Sequence, residues 1–115
     1  MVTHINVDPS TPFEDQLKAT HMGPVALLNV FHVPDGKLEE AIAVWQRCAD
    51  ILFKEPGCIS AQLHRGIGGA DIMVNYAVWE SVAHLRAGLN GEEFRVVREQ
   101  FPQGTTMSPS VLQKL

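Results

Sequence analysis

The nine residues from Asp71 to Trp79, DIMVNYAVW, limit what this chain can fold into more than any other stretch. Seven of them are apolar and Asn75 is a single uncharged break among them. A run so short, and so rich in β-branched and aromatic residues, predicts a strand covered on both faces. Strand alternation places Asp71, Met73, Asn75, Ala77 and Trp79 on one face and Ile72, Val74, Tyr76 and Val78 on the other. An amide and an indole therefore share one side of a central strand, about 13 Å apart at about 3.3 Å per residue. Both are neutral hydrogen-bonding groups on an apolar surface, and they are the first lead to function.

The stretch Val25 to Val33, VALLNVFHV, repeats the theme. Its alternation sets Val25, Leu27, Asn29, Phe31 and Val33 against Ala26, Leu28, Val30 and His32, so a second asparagine sits mid-strand on an apolar face. Pro34-Asp35-Gly36 stops this strand and a helix follows over residues 37–54. There Leu38, Ala41, Ile42, Trp45, Cys48, Ala49 and Leu52 form one buried stripe, and Glu55-Pro56-Gly57 ends it. Cys58 to Arg65 reads as the next strand, with Ile59, Ala61 and Leu63 alternating against Ser60, Gln62 and His64. Gly66-Ile67-Gly68-Gly69 is then a hairpin turn. It is no phosphate cradle, because a strand follows it and not the helix start that would supply amides.

After Trp79 the period becomes helical. Ser81 caps a helix lined by Val82, Leu85 and Leu89. Asn90-Gly91-Glu92-Glu93 opens a second piece with Phe94, Val97 and Phe101 inward. Residues 105–115 read as a last strand, in which Pro109 suits an edge or a bulge. The order β-α-β-β-α-β over residues 23–115 predicts an α+β domain of ferredoxin-like topology, a four-stranded antiparallel sheet with the helices on one face. The other sheet face would bear Leu28, Val30, Val74, Tyr76 and Val78, too apolar for water, which predicts a homodimer with the sheets face to face.

Residues 1–22 have a different texture and read as an N-terminal arm. Thr11-Pro12-Phe13-Glu14 has the form of a capping box and predicts a short helix over residues 12–18, pinned by Phe13 and Leu17. A mobile arm is the alternative.

Composition excludes several classes. A net charge of -4 and a pI near 5.6 leave no basic surplus for nucleic acid. No apolar run reaches the length of a membrane span, and the expected setting is the cytoplasm. Cys48 and Cys58 lack C-x-x-C spacing and are expected to be reduced thiols. His32 and His64 have no carboxylate or cysteine in ligand spacing beside them, so no metal site is expected.

The run ALLNVFHVPDGKLEEAIAVWQRCADIL, then EPGCISAQLHRG, then VNYAVWESVAHLRAGLNGEEFRVVRE, resembles the antibiotic biosynthesis monooxygenase domain family. Pro56-Gly57 and Trp79-Glu80-Ser81 are its plainest marks, and the resemblance covers residues 24–115. It implies a dimeric α+β barrel. It also implies, for one subgroup, oxidation of fused-ring aromatics such as anthrones to quinones without metal, flavin or haem. An Asn and a Trp at N-x-x-x-W spacing are implicated in that site, and Asn75 and Trp79 match them. A Tyr found six residues past the Trp corresponds here to Leu85, and Arg98 or Arg95 stands in the region of a family arginine. A haem-degrading branch shares the first-strand asparagine, Asn29, but Gly88 and Arg98 occupy its Trp and His positions. A further branch holds small binding proteins without established chemistry.

The expectation is therefore a cofactor-independent monooxygenase acting on a small aromatic or quinol-type molecule. Asn75 and Trp79 would be its catalytic residues, and Asn29, Phe31, Met73, Leu85 and Arg98 its substrate-binding residues. The alternative is a non-catalytic dimer that holds an aromatic ligand.

Overall fold

The computed structural model describes residues 2–115. Along the chain run β1 (Thr3–His4), α1 (Phe13–Gln16), β2 (Val25–His32), α2 (Leu38–Leu52), β3 (Cys58–Arg65), β4 (Ile72–Trp79), α3 (Val82–Leu89), α4 (Glu92–Arg98) and β5 (Thr106–Gln113). The sheet order is β1-β5-β2-β4-β3, with β1 parallel to β5 and the other pairs antiparallel. From β2 onward this is the ferredoxin-like α+β arrangement. The arm adds a fifth strand and makes the sheet mixed.

The face carrying the asparagines is the one the helices cover. Val25, Leu27 and Phe31 of β2, Met73, Ala77 and Trp79 of β4, and Met107 of β5 are all buried beneath them. Ala41, Val44, Cys48 and Ala49 of α2 complete that core, with Phe94 and Phe101 from the second helical segment. Each large side chain so buried contributes roughly 1.5–3 kcal/mol, which is why the apolar stripe of α2 and not its charged side meets the sheet. The opposite face pairs Leu28 with Tyr76 and Val30 with Val74, and Tyr76 is 45 % exposed there.

Two local expectations need correction. The first concerns β3, whose register with β4 passes from Cys58↔Trp79 to Ser60↔Val78. Ile59 is the extra residue of this β-bulge and stands 54 % exposed instead of lining the core. The second concerns α1. Pro12 is its N-cap and no side chain caps it in the manner of a Thr11 box. The Phe13 amide donates instead to Asn6 Oδ1 at 3.1 Å, a longer-range bond that a local motif does not reveal.

The arm is docked. Val2 is buried in the core, and the Ile5 amide donates to the Met107 carbonyl at 2.7 Å. Phe13 and Leu17 pack against the cluster around Trp79. Beyond β1 the edge of β5 lies open, and a side chain closes it. Gln16 Nε2 donates to the Val111 carbonyl at 3.1 Å while the Val111 amide donates to Gln16 Oε1 at 2.9 Å. One glutamine thus does what one residue of a neighbouring strand would do. Because Met107 and Val111 turn their backbone groups outward, Pro109 between them does so too. Its missing N–H costs no bond to β2.

Candidate functional site

Asn29 and Asn75 are partners in the β2–β4 register. Pro109 extends their row on one side and Leu63 on the other. Two rows on, Trp79 pairs with Val25 and Cys58. Strand alternation aims both amides and the indole at the helices, where the layers part to leave a cavity of about 750 Å³, its mouth included.

The floor of the cavity is Leu27, Asn29, Phe31, Asn75, Ala77 and Trp79. Its roof comes from α2, through Trp45, Cys48 and Leu52, and from Phe94 and Arg98 of α4. The Arg98 guanidinium lies 5.7 Å from the centre of the Phe94 ring, within cation–π range. His4 and Phe13 of the arm close the remaining side.

The polar atoms of this lining are unusual. Among the described residues, the buried side-chain nitrogen and oxygen atoms without a hydrogen-bond partner are Asn29 Oδ1, Asn75 Oδ1, Trp79 Nε1 and Arg98 Nε. All four belong to residues of the cavity. A buried polar atom left unpaired costs about 1–3 kcal/mol, and buried polar groups are otherwise nearly always satisfied. Two acceptors and two donors held unpaired around one hollow form a set that a ligand can complete. The local folding that holds Trp79 is also clear. The Glu80 amide donates to the Gly57 carbonyl at 2.8 Å, and Ser81 caps α3 by accepting from the His84 amide at 3.1 Å. Gly57 has φ +89° and lies directly against the His84 ring, so a side chain there would collide with it. The Pro56-Gly57 and Trp79-Glu80-Ser81 marks are thus two halves of one corner.

Of the seven residues expected at the site, Asn29, Phe31, Asn75, Trp79 and Arg98 line the cavity. Met73 and Leu85 do not. Both are fully buried, Met73 in the core cluster that includes Phe31 and Phe94 and Leu85 in the one that includes Trp79 and Val82. Sequence alternation gives the face of a strand but not whether a neighbour already fills the space above it. Trp45 and Cys48, read from the sequence as packing residues, and the arm residues His4 and Phe13 also line the hollow.

Burial pushes the Cys48 thiol up to about 11, against the opposing influence of Arg47 and Arg98, and burial also raises Cys58. Both are neutral thiols near pH 7. Among the described residues no group of three or more His, Cys, Asp or Glu side chains is arranged to hold a metal ion. Nor, among those residues, is any helix long and apolar enough to cross a membrane.

A family model described as antibiotic biosynthesis monooxygenase matches residues 24–100. The chain belongs to the antibiotic biosynthesis monooxygenase family. Among solved structures it is similar to SnoaB of Streptomyces nogalater, described as a cofactor-independent oxygenase. The identity is 24 %, over 81 % of this chain and 94 % of that one, with a TM-score of 0.76. It is also similar to a protein of Shewanella loihica PV-4 provisionally described as a monooxygenase, at 29 % identity over 84 % and 98 % of the two chains and a TM-score of 0.66. Rv0793 of Mycobacterium tuberculosis shares the fold at 20 % identity over 81 % and 96 %, TM-score 0.67. Among curated proteins none matches. The family match begins after the arm, so His4 and Phe13 line the cavity from outside the matched residues.

Proposed function

We propose that this protein is a cofactor-independent monooxygenase that oxidises a small aromatic or quinol-type substrate with dioxygen, working as a homodimer in the cytoplasm. The observation that carries the reading is the set of unpartnered buried atoms on Asn29, Asn75, Trp79 and Arg98 around an otherwise apolar cavity, in a member of this family.

The chemistry needs little from the protein. An aromatic methylene or hydroquinone that loses a proton becomes an electron-rich enolate or phenolate, which reduces dioxygen directly. For a methylene substrate, carbon–oxygen bond formation gives a hydroperoxide. Loss of water then leaves a carbonyl, so that CH2 and O2 become C=O and H2O. The site holds the ring system between Phe31, Trp45 and Phe94. Trp79 Nε1 and Arg98 donate toward the developing oxyanion, and the Asn29 and Asn75 oxygens accept from substrate hydroxyls. Excluding water strengthens each of these bonds and protects the carbanion from reprotonation. The free thiols of Cys48 and Cys58 suit a reducing compartment. The apolar face around Leu28, Val74 and Tyr76 is the surface on which a second copy would pack.

The test is oxygen uptake with a panel of anthrones and hydroquinones in metal-free buffer, with isotopically heavy dioxygen to trace the new carbonyl oxygen. The expected result is protein-dependent uptake that Trp79→Phe lowers by about 10²-fold in kcat, the scale of losing one oxyanion donor, and that Asn75→Ala lowers by removing an acceptor for a substrate hydroxyl. Binding of the aromatic, seen as a thermal shift, without any uptake would identify a ligand-holding protein instead and overturn the enzymatic reading. Sedimentation of wild type and Tyr76→Glu tests the dimer: wild type is expected as a dimer and the variant as a monomer.

A further inference from the structure

Among the described residues lining the cavity, the ionisable side chains are His4, Cys48, Cys58 and Arg98. Each differs in what it can do with a proton. An arginine side chain does not serve as a proton acceptor in water at working pH. Both thiols are held protonated by burial. His4 alone can give and take a proton near neutrality.

Its placement follows from register. His4 pairs with Met107, which pairs with Phe31, and Met107 and Phe31 both point beneath the helices. The row of Pro109, Asn29 and Asn75 is the next one toward the C-terminal end of β5. His4 and Asn29 are thus separated by one strand, β5, or about 10 Å laterally at about 4.8 Å per strand. That is the span of a fused tricyclic ring system. One end of such a molecule lies over the paired asparagines while the other reaches His4 and Arg98. His4 is exposed at the mouth while also lining the cavity, so a proton it accepts has a path to water.

We propose that His4 is the proton acceptor of this site, the base that converts the bound aromatic to its oxidisable anion. The proposal rests on the monooxygenase reading. In the step, an acidic C–H or O–H bond of the substrate breaks and an N–H bond forms on the imidazole. The electron pair stays on the substrate as an enolate or phenolate, which the Arg98 guanidinium faces. Dioxygen, the oxidant already named for the reaction, consumes that anion, and imidazolium returns its proton to water at the mouth.

The charged groups around His4 suit this role. Burial and the Arg98 guanidinium on α4 both lower its proton affinity, while Glu14 of α1 and Glu99, just past α4, act weakly in the other direction. The imidazole is therefore neutral, and ready to accept, at pH 7. Arg98 also disfavours retention of the proton once it is gained.

The experiment compares wild type, His4→Gln and His4→Ala in oxygen uptake between pH 5 and 9, with exogenous imidazole added to the alanine variant. Exchange of the Ile5 amide, which is bonded to Met107 in β1 docking, shows whether the arm stays in place. Wild type is expected to lose kcat/KM as pH falls, with a midpoint below the ordinary 6.5 of histidine. His4→Gln should be slower by about 10² at pH 7, the usual worth of a positioned base. It should also lack that acid limb, and imidazole should restore part of the rate to His4→Ala. A His4→Gln enzyme that keeps the wild-type rate and acid limb overturns the proposal and leaves the monooxygenase reading standing. A variant with a docked arm whose loss imidazole does not repair overturns it as well. Absence of uptake by wild type with every substrate defeats the monooxygenase reading itself.

Discussion

Asn29 and Asn75 stand opposite one another across the β2–β4 ladder, and each holds its side-chain oxygen buried without a partner. Two adjacent amides could satisfy each other by pairing oxygen to nitrogen. That neither oxygen is used in this way marks the pair as held open, at a cost in stability that a core would not retain.

This cost makes the first prediction. Asn75→Leu keeps roughly the same volume and removes the unpaired acceptor. An unsatisfied buried group costs about 1–3 kcal/mol, so the variant is expected to unfold several degrees higher than wild type while losing oxygen uptake. Calorimetry and the uptake assay on one preparation check both. A variant less stable than wild type would mean that Asn75 holds the sheet together and serves no ligand.

The second concerns the arm. Gln16→Ala deletes both bonds to Val111, leaving the edge of β5 to water. At about 1 kcal/mol for each hydrogen bond the expected loss is about 1–2 kcal/mol. Amide exchange should quicken at Val111 before it does in β4. Arg86 Nη1 also donates to the Leu17 carbonyl at 2.6 Å, so the arm should loosen locally without leaving the body. Unchanged exchange at Val111 would show that water replaces the glutamine at no cost.

The strands and helices of the ferredoxin-like body were legible because each carries a strong period. DIMVNYAVW and VALLNVFHV alternate, and α2 repeats at three and four. The face on which Asn29 and Asn75 lie followed from the same alternation. What did not follow was depth: Met73 shares that face with Asn75 yet is wholly buried in the core cluster. In the arm, the helix was legible through Pro12, Phe13 and Leu17, but the first strand was not, for a different reason. A strand of two residues, Thr3–His4, has no period to read. Its place is fixed by Val2 in the core and by the outward backbone of β5, both long-range facts. His4 therefore gave no signal in the sequence, whereas Arg98 was found through the resemblance.

The third prediction concerns thiol chemistry. With its pKa raised to about 11 by burial, Cys48 has almost no thiolate at pH 8, and thiolate is the species that alkylates. Iodoacetamide is expected to leave Cys48 intact in the native protein and to modify it rapidly in denaturant, as mass spectrometry of the Cys48 peptide would show. An aromatic ligand in the cavity should slow any residual modification further, because Cys48 lines it. Rapid native labelling of Cys48 would place the thiol in water and contradict a closed roof.

The last prediction sets two opposing effects against each other at Gly88. In the last turn of α3, glycine to alanine would ordinarily stabilise the helix, by at most the about 1 kcal/mol of an interior position. Here the added Cβ would lie 2.7 Å from Trp79 Cη2 and 3.1 Å from Cζ3. The ring is 1 % exposed and clustered with Leu85 and Val82 at 0 % and 2 %, so making room for the Cβ means displacing the indole toward the cavity it lines. Overpacking of this kind costs about 1–3 kcal/mol, so it outweighs the gain in propensity. Gly88→Ala is expected to be less stable than wild type in spite of its better helix former. Displacing the indole also moves Trp79 Nε1 from its position in the cavity lining, so oxygen uptake should fall by more than stability alone accounts for. Indole emission, read in a Trp45→Phe background so that Trp79 is the sole reporter, should shift with it. A Gly88→Ala protein with raised stability and unshifted emission would show that the ring has room to move, and that its tight seat against α3 is not what positions it.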